Sequence, residues 1–271
     1  MNSQSRSTLA VYWNALIGLL RRDALTLGRS KATFLTRTIT NPLMFVFVFA
    51  YLLPKLGQGV PTSASLSFGT VMFPGLIAVA IFFQGIMAVG LPLAVELGTG
   101  REIDDRLVAP VPLGLLAAEK IIFSTFQSIV AALVTFPFLY FIPALPIHLT
   151  VPSWTFLVGF VLLSGLASGA VGLMLGTLVK PQNISAIFTI IITPMTFLGC
   201  VYYPWIMLFR VPLLQKLVLL NPLVYVSEGM RATLTAQVPH LSLLVATAAL
   251  SLVLIVTTVI GVRGFMRRVI S

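Results

Sequence analysis

The sequence predicts an all-α integral membrane fold, and three observations carry that prediction. Mean hydropathy is +1.04 over 271 residues. Only 9% of residues are charged and 58% are hydrophobic, whereas roughly a quarter of the residues in a soluble domain carry charge. Apolar runs of about twenty residues recur along the chain, each long enough as a helix to cross about 30 Å of hydrocarbon. The expected architecture is one domain over 1–271: six transmembrane helices, an N-terminal interfacial amphipathic helix, and a re-entrant outer segment before the last span.

Residues 1–37 form the cytosolic or interfacial element. Trp13, Leu16, Ile17, Leu20, Ala24 and Leu27 recur at helical spacing, with Gly18, Arg22 and Arg29 opposite, the pattern of a helix lying in the interface with its basic face toward phosphates. A short helix packed on the protein's own cytosolic side gives the same pattern. No secretory cleavage pattern follows the basic residues Arg6, Arg21, Arg22, Arg29, Lys31 and Arg37, so this segment reads as retained. The spans are expected at 39–53, 66–93, 113–142, 151–179, 184–203 and 241–262. Pro42, Pro74 and Pro137 fall inside them, where membrane helices tolerate a kink. In the fourth span, Gly165/Gly169, Ser168/Gly172 and Gly172/Gly176 are small pairs four residues apart, suited to close helix packing. A lining for a transport path is the other use of that stripe.

The fifth and sixth spans are joined by about forty residues, too long for a simple turn. From Tyr202 to Leu220 this connection is too apolar for water. It fits short helices re-entering or lying on the outer leaflet over 204–231, anchored by the Tyr-Tyr-Pro-Trp belt.

Orientation follows from Lys and Arg. With a cytosolic N-terminus, six crossings place thirteen of them inside and four outside, namely Lys55, Arg210, Lys216 and Arg231. Basic residues collect on the cytoplasmic side, so both termini are expected there. The net charge of +10 serves orientation and contact with anionic lipid. Nucleic acid is not an expected partner, because a reader of nucleic acid needs a folded basic module. The same orientation makes the 94–112 segment cytosolic. It holds Glu96 and a dense cluster of Arg101, Glu102, Asp104, Asp105 and Arg106, followed by Leu107. Such a polar cluster between apolar stretches is a docking surface or a site.

Most catalytic chemistry is excluded. None of the five lysines is followed by Ser or Thr, so the chain cannot itself be a P-loop ATPase. Neither His-Glu-x-x-His nor Gly-x-Ser-x-Gly occurs. Cys200 is alone and His148 and His240 stand far apart, so no metal site and no intrachain disulfide are expected. No carboxylate sits in mid-span, since Glu119 lies near a cytosolic end and Glu228 in the outer segment. That disfavours a proton-coupled carrier. The neighbours Asp104 and Asp105 would point about 100° apart on a helix, a poor start for a metal-dependent lipid-modifying enzyme.

Three segments resemble the membrane subunits of type-2 ABC exporters. Glu96-Leu-Gly-Thr-Gly-Arg-Glu-Ile-Asp-Asp-Arg-Leu-Val-Ala-Pro-Val-Pro112, leading into Glu119-Lys120, is similar to the family's charged cytosolic segment before the third span. Asn221-Pro222-Leu223-Val224-Tyr225-Val226-Ser227-Glu228-Gly229-Met230-Arg231 is similar to its Asn-Pro-Leu-x-Tyr…Arg signature before the last span. Phe197-Leu-Gly-Cys-Val-Tyr-Tyr-Pro-Trp205 resembles the bend after the fifth span.

The resemblance implies a multi-pass permease subunit of the cytoplasmic membrane. It also implies two ABC ATP-binding subunits carrying ATP and Mg, and a second permease, identical or homologous. This chain itself would hold no cofactor. Glu96, Arg101, Glu102, Asp104, Asp105, Arg106 and Leu107 would form the ATPase-coupling segment. Asn221, Pro222, Tyr225, Glu228 and Arg231 would form an outer-segment signature that fixes the segment by hydrogen bonds, contact with cargo being the other use of Asn221, Tyr225 and Arg231. Nineteen Phe and nine Met suit an adaptable path for an amphipathic drug or a lipid, and they equally suit an ordinary lipid-facing surface. Export of a polysaccharide or glycolipid is the alternative within the family. An ion-coupled carrier and a membrane-embedded lipid-modifying enzyme are the alternatives outside it.

Overall fold

In a computed structural model, the chain is described over residues 8–29, 68–99, 113–141 and 147–270, with shorter pieces between 34 and 56. The principal helices are α1 (Thr8–Arg29), α2 (Phe68–Thr99), α3 (Leu113–Phe141), α4 (Trp154–Leu178), α5 (Ile184–Phe197), α6 (Pro212–Leu217), α7 (Pro222–Leu234) and α8 (Leu243–Ile270). Within α2, α3, α4 and α8, four stretches are long and apolar enough to cross a membrane: Phe68–Gly98, Gly114–Phe141, Trp154–Leu178 and Leu243–Arg268.

The bundle is organised around α4, which packs against α2, α3 and α8. Its small-residue stripe explains why. A Cβ on Gly172 would stand 2.7 Å from the Ile86 carbonyl oxygen, and one on Gly176 would stand 2.8 Å from that of Gly90. Real side chains do not fit there, so the backbones of α2 and α4 touch. On the α3 side, Gly165 meets Thr125 and Gly169 meets Ser124. In α8, Gly261 and Gly264 reciprocate against Leu173 and Thr177 of α4. The small pairs therefore serve packing inside one chain. In lipid, where hydrocarbon surrounds helices on all sides, such van der Waals contact holds neighbours together. The main core includes Phe73, Phe82, Ile86, Phe160, Val171, Leu223 and Met230.

Several boundaries move relative to expectation. Helix α2 continues past Pro92 through Glu96 to Thr99, so 94–99 is helix rather than connection. The sixth expected span extends to Ile270 and carries Arg263, Arg267 and Arg268 on its final turns. The fifth ends early. Helix α5 has 14 residues, about 21 Å at 1.5 Å per residue, and gives way at Phe197 to a turn in which Cys200 has φ 51°. The first expected span, 39–53, and its Pro42 fall largely outside the described residues. Pro74 and Pro137 lie inside helices as expected, joined by Pro92 and Pro194.

Helix α1 packs on α3. Leu16 is buried, whereas Trp13, Ala24 and Leu25 are exposed, so only part of its apolar face meets protein. Over 204–231 the chain forms short turns at Trp205–Arg210, then α6, then Val218–Leu220. Pro222 then starts α7, which is buried against α2 and α8.

Candidate functional site

Two polar constructions stand at opposite ends of α2. The first is at the Glu96 end. Lys120 Nζ of α3 lies 3.2 Å from Glu96 Oε1 of α2 and 3.9 Å from Asp23 Oδ2 of α1. Arg22 Nη2 donates to Asp23 Oδ1 at 2.8 Å. One ammonium thus bridges three helices. Glu119 is fully buried beside Asp23 and Lys120. Partial burial pushes the Asp23 carboxyl upward, but the hydrogen bond from Arg22 and the Lys120 charge outweigh it and hold Asp23 below its ordinary value. Asp23 carried no signal in the sequence, where a lone carboxylate beside Arg22 on an amphipathic helix resembles any solvated pair.

Of the expected coupling residues, Glu96 belongs to this node. Arg101, Glu102, Asp104, Asp105, Arg106 and Leu107 lie outside the described residues. They belong to the connection from α2 to α3, the two helices that Lys120 and Glu96 tie together.

The second construction is at the Phe68 end, and it gathers the signature residues. Asn221 caps α7: its Oδ1 accepts from Leu223 N at 3.0 Å, while its Nδ2 donates to the Met195 carbonyl of α5 at 2.8 Å. Pro222 occupies the first turn of α7, where a missing N–H has no cost. Tyr225 donates its hydroxyl to Leu219 O at 2.7 Å. Glu228 and Arg231 are fully buried and pair at 2.5 Å one turn apart.

The pair is more than a local bond. Glu228 Oε1 also accepts from Trp205 N at 2.8 Å, and its Oε2 from Leu241 N at 2.7 Å. Arg231 Nη2 donates to the Cys200 carbonyl at 3.0 Å and reaches those of Val201 and Val71 at 3.4 Å. Ser227 donates to Gly199 O at 2.6 Å. Cys200 holds a left-handed backbone that a non-glycine residue adopts only at a cost, and the flanking carbonyls are pinned from α7. Gly75 of α2 sits against Val201 with no room for a Cβ. Trp205 Nε1 donates to Gln215 O at 3.0 Å, closing the 205–215 segment on itself.

The carboxylate and guanidinium at the Phe68 end face backbone and each other. Among the described residues no group of His, Cys, Asp and Glu could hold a metal ion. One end ties α1, α2 and α3 together through Lys120, and the other ties α7 to the turn around Cys200 through Glu228 and Arg231.

The bundle is that of a multi-pass integral membrane protein. A family model of the ABC-2 type transporter matches residues 14–235, and the chain belongs to that family. Over 223 residues it is 28% identical to the inner membrane transport permease YadH of Escherichia coli strain K12, covering 82% of this chain and 83% of that protein. YadH of Shigella flexneri matches with the same identity and coverage. Membership makes the chain a non-catalytic, multi-pass membrane subunit of an ABC transporter, working with an ATP-binding partner.

Proposed function

We propose that this chain is the permease of an ATP-driven exporter that moves an amphipathic drug or lipid-like substrate outward across the cytoplasmic membrane. Both termini lie in the cytosol, the chain crosses six times, and the 204–231 segment re-enters from the outer leaflet. Two ATP-binding subunits carry ATP and Mg, and a second permease, identical or homologous, completes the path. The observation that carries this reading is the Lys120 node. The 100–112 connection joins α2 and α3 just where Lys120 links both helices to α1, so force on Arg101–Leu107 is delivered to three helices at once. Closure of the ATPase pair pushes that connection and rocks the bundle, exchanging inward and outward access.

The mainly aliphatic and Phe-rich spans favour an amphipathic cargo over a polysaccharide. Replacing Glu102 and Arg106 together with Ala, in the complex reconstituted with its ATP-binding partner, is expected to leave membrane insertion intact. ATP hydrolysis should then no longer drive transport. Wild-type transport by that double variant removes the coupling role from this segment.

A further inference from the structure

The 205–220 segment divides its apolar residues between two environments. Trp205, Leu208, Leu214 and Leu219 pack against a small cluster of Cys200, Val218 and Val224. Ile206, Phe209, Leu213, Leu217 and Leu220 stand exposed instead, Phe209 by 63%, Leu213 by 73% and Leu220 by 83%. Neither the Trp205–Arg210 turn nor α6 contains a buried residue. An apolar surface of this kind, held in place from α7, needs something to cover it.

The charges of the segment are all of one sign. Arg210 and Lys216 are both exposed, and Arg210 Cζ lies 5.6 Å from the centre of the exposed Phe209 ring. The sequence holds no acid between Glu119 and Glu228 and none after Glu228. Glu228 itself is fully buried, and its carboxylate is taken up by Arg231, Trp205 N and Leu241 N. With six crossings and cytosolic termini, the other acids, Asp23, Glu96, Glu102, Asp104, Asp105 and Glu119, all fall on the cytosolic side. The outer side then has no free acid to neutralise Arg210 and Lys216. The remaining outer cations are engaged elsewhere, Lys55 on the Tyr51 hydroxyl at 2.8 Å and Arg231 in its buried pair. Basic residues are depleted outside the membrane, so two of them on one short exposed segment point to an anion that the chain does not supply.

We infer that the 205–220 segment docks on anionic phospholipid of the outer leaflet, its exposed apolar side chains entering the acyl boundary while Arg210 and Lys216 meet lipid phosphates. Which leaflet is met rests on the exporter reading; the pairing of apolar and basic groups does not. A phospholipid supplies both halves of the match, acyl chain for Phe209 and Leu213 and negative charge for the two cations. A second copy of this chain would also cover an apolar face. It would bring the same two cations and no free acid on this side, so charge opposes it.

The test places a photoreactive benzophenone amino acid at Leu213 in the full chain, in nanodiscs of phosphatidylcholine containing a small fraction of phosphatidylglycerol. The masses of the adducts identify what lies against the segment. Phosphatidylglycerol adducts are expected in excess of that lipid's share of the bilayer, and high salt should reduce the excess by screening. Arg210→Gln and Lys216→Gln should each lower the excess about fivefold. The same probe at Leu252, exposed in the middle of α8, should return the bulk lipid ratio.

A bulk ratio at Leu213, or an equal excess at Leu252, overturns the anionic preference. Cross-linking of Leu213 to a second copy of the chain in place of lipid overturns the docking surface. Nanodiscs offer the same lipid to both faces, and neither transport nor sidedness is read, so failure here is separate from failure of the exporter reading.

Discussion

Removing one charge of the Glu228–Arg231 pair should destabilise the protein far more than an exposed ion pair could. Glu228→Gln keeps the shape of the side chain but takes away the counter-charge of a fully buried guanidinium. It also places an amide N–H₂ against at least one of the three donors, Trp205 N, Leu241 N and Arg231 Nη1, that now converge on the carboxylate. Breaking a buried pair from one side costs about 3–5 kcal/mol, against ~0.2–1 kcal/mol for an exposed pair. In the double variant Glu228→Gln/Arg231→Met no bare charge remains, although the Cys200 carbonyl loses its donor at about 1–3 kcal/mol. The double variant should therefore be no less stable than Glu228→Gln alone, with a coupling of about 2 kcal/mol or more in the cycle. Equilibrium unfolding in mixed micelles, followed by circular dichroism, measures all four corners. A loss below about 1 kcal/mol in Glu228→Gln, or additive single effects, refutes the description of this pair as the tie between α7 and the turn around Cys200.

Gly172→Val should cost at least the ~1–3 kcal/mol typical of overpacking, because its Cβ meets the Ile86 carbonyl. Gly18→Ala, with nothing within 4 Å of the added methyl, should be neutral or stabilising by up to about 1 kcal/mol; the same unfolding measurement reads both. Lys120→Ala should loosen α1 by about 1 kcal/mol, seen as faster tryptic cleavage at Arg21 and Arg22. Asp23 titrates below its ordinary value when α1 is docked, so its contribution is fully present above about pH 4 and fades as pH falls through the lowered folded value. Protection of α1 from hydrogen exchange should accordingly be flat from pH 7 to 5 and drop only in stronger acid; loss already at pH 6 contradicts it. Asn221→Ala removes both a helix cap and the tie to Met195, worth about 1–2 kcal/mol, measurable in the same unfolding assay.

The long helices were legible because a continuous apolar run of span length has few alternatives in a chain this poor in charge. The stripe from Gly165 to Gly176 was legible for a related reason, since small residues four apart make one flat face. The early end of α5 was not, because hydropathy measures burial in lipid and is blind to where a helix gives way to a turn such as that around Cys200. The signature from Asn221 to Arg231 stood out by residue type. Its partners did not, because Trp205 N, Leu241 N and the carbonyls of Cys200 and Met195 are backbone groups that any residue carries. Asp23 escaped because its value depends on Lys120, nearly a hundred residues away.

The most direct measurement concerns the side from which the chain is driven. Cysteine introduced at Ile103, within the Arg101–Arg106 segment, can be challenged with a membrane-impermeant maleimide in intact cells and in inverted vesicles; the native Cys200 is fully buried and serves as the silent background. Labelling in inverted vesicles alone, blocked when the ATP-binding partner is present, is the expected result. Labelling of intact cells puts the segment on the outer face and contradicts a permease levered from the cytosol.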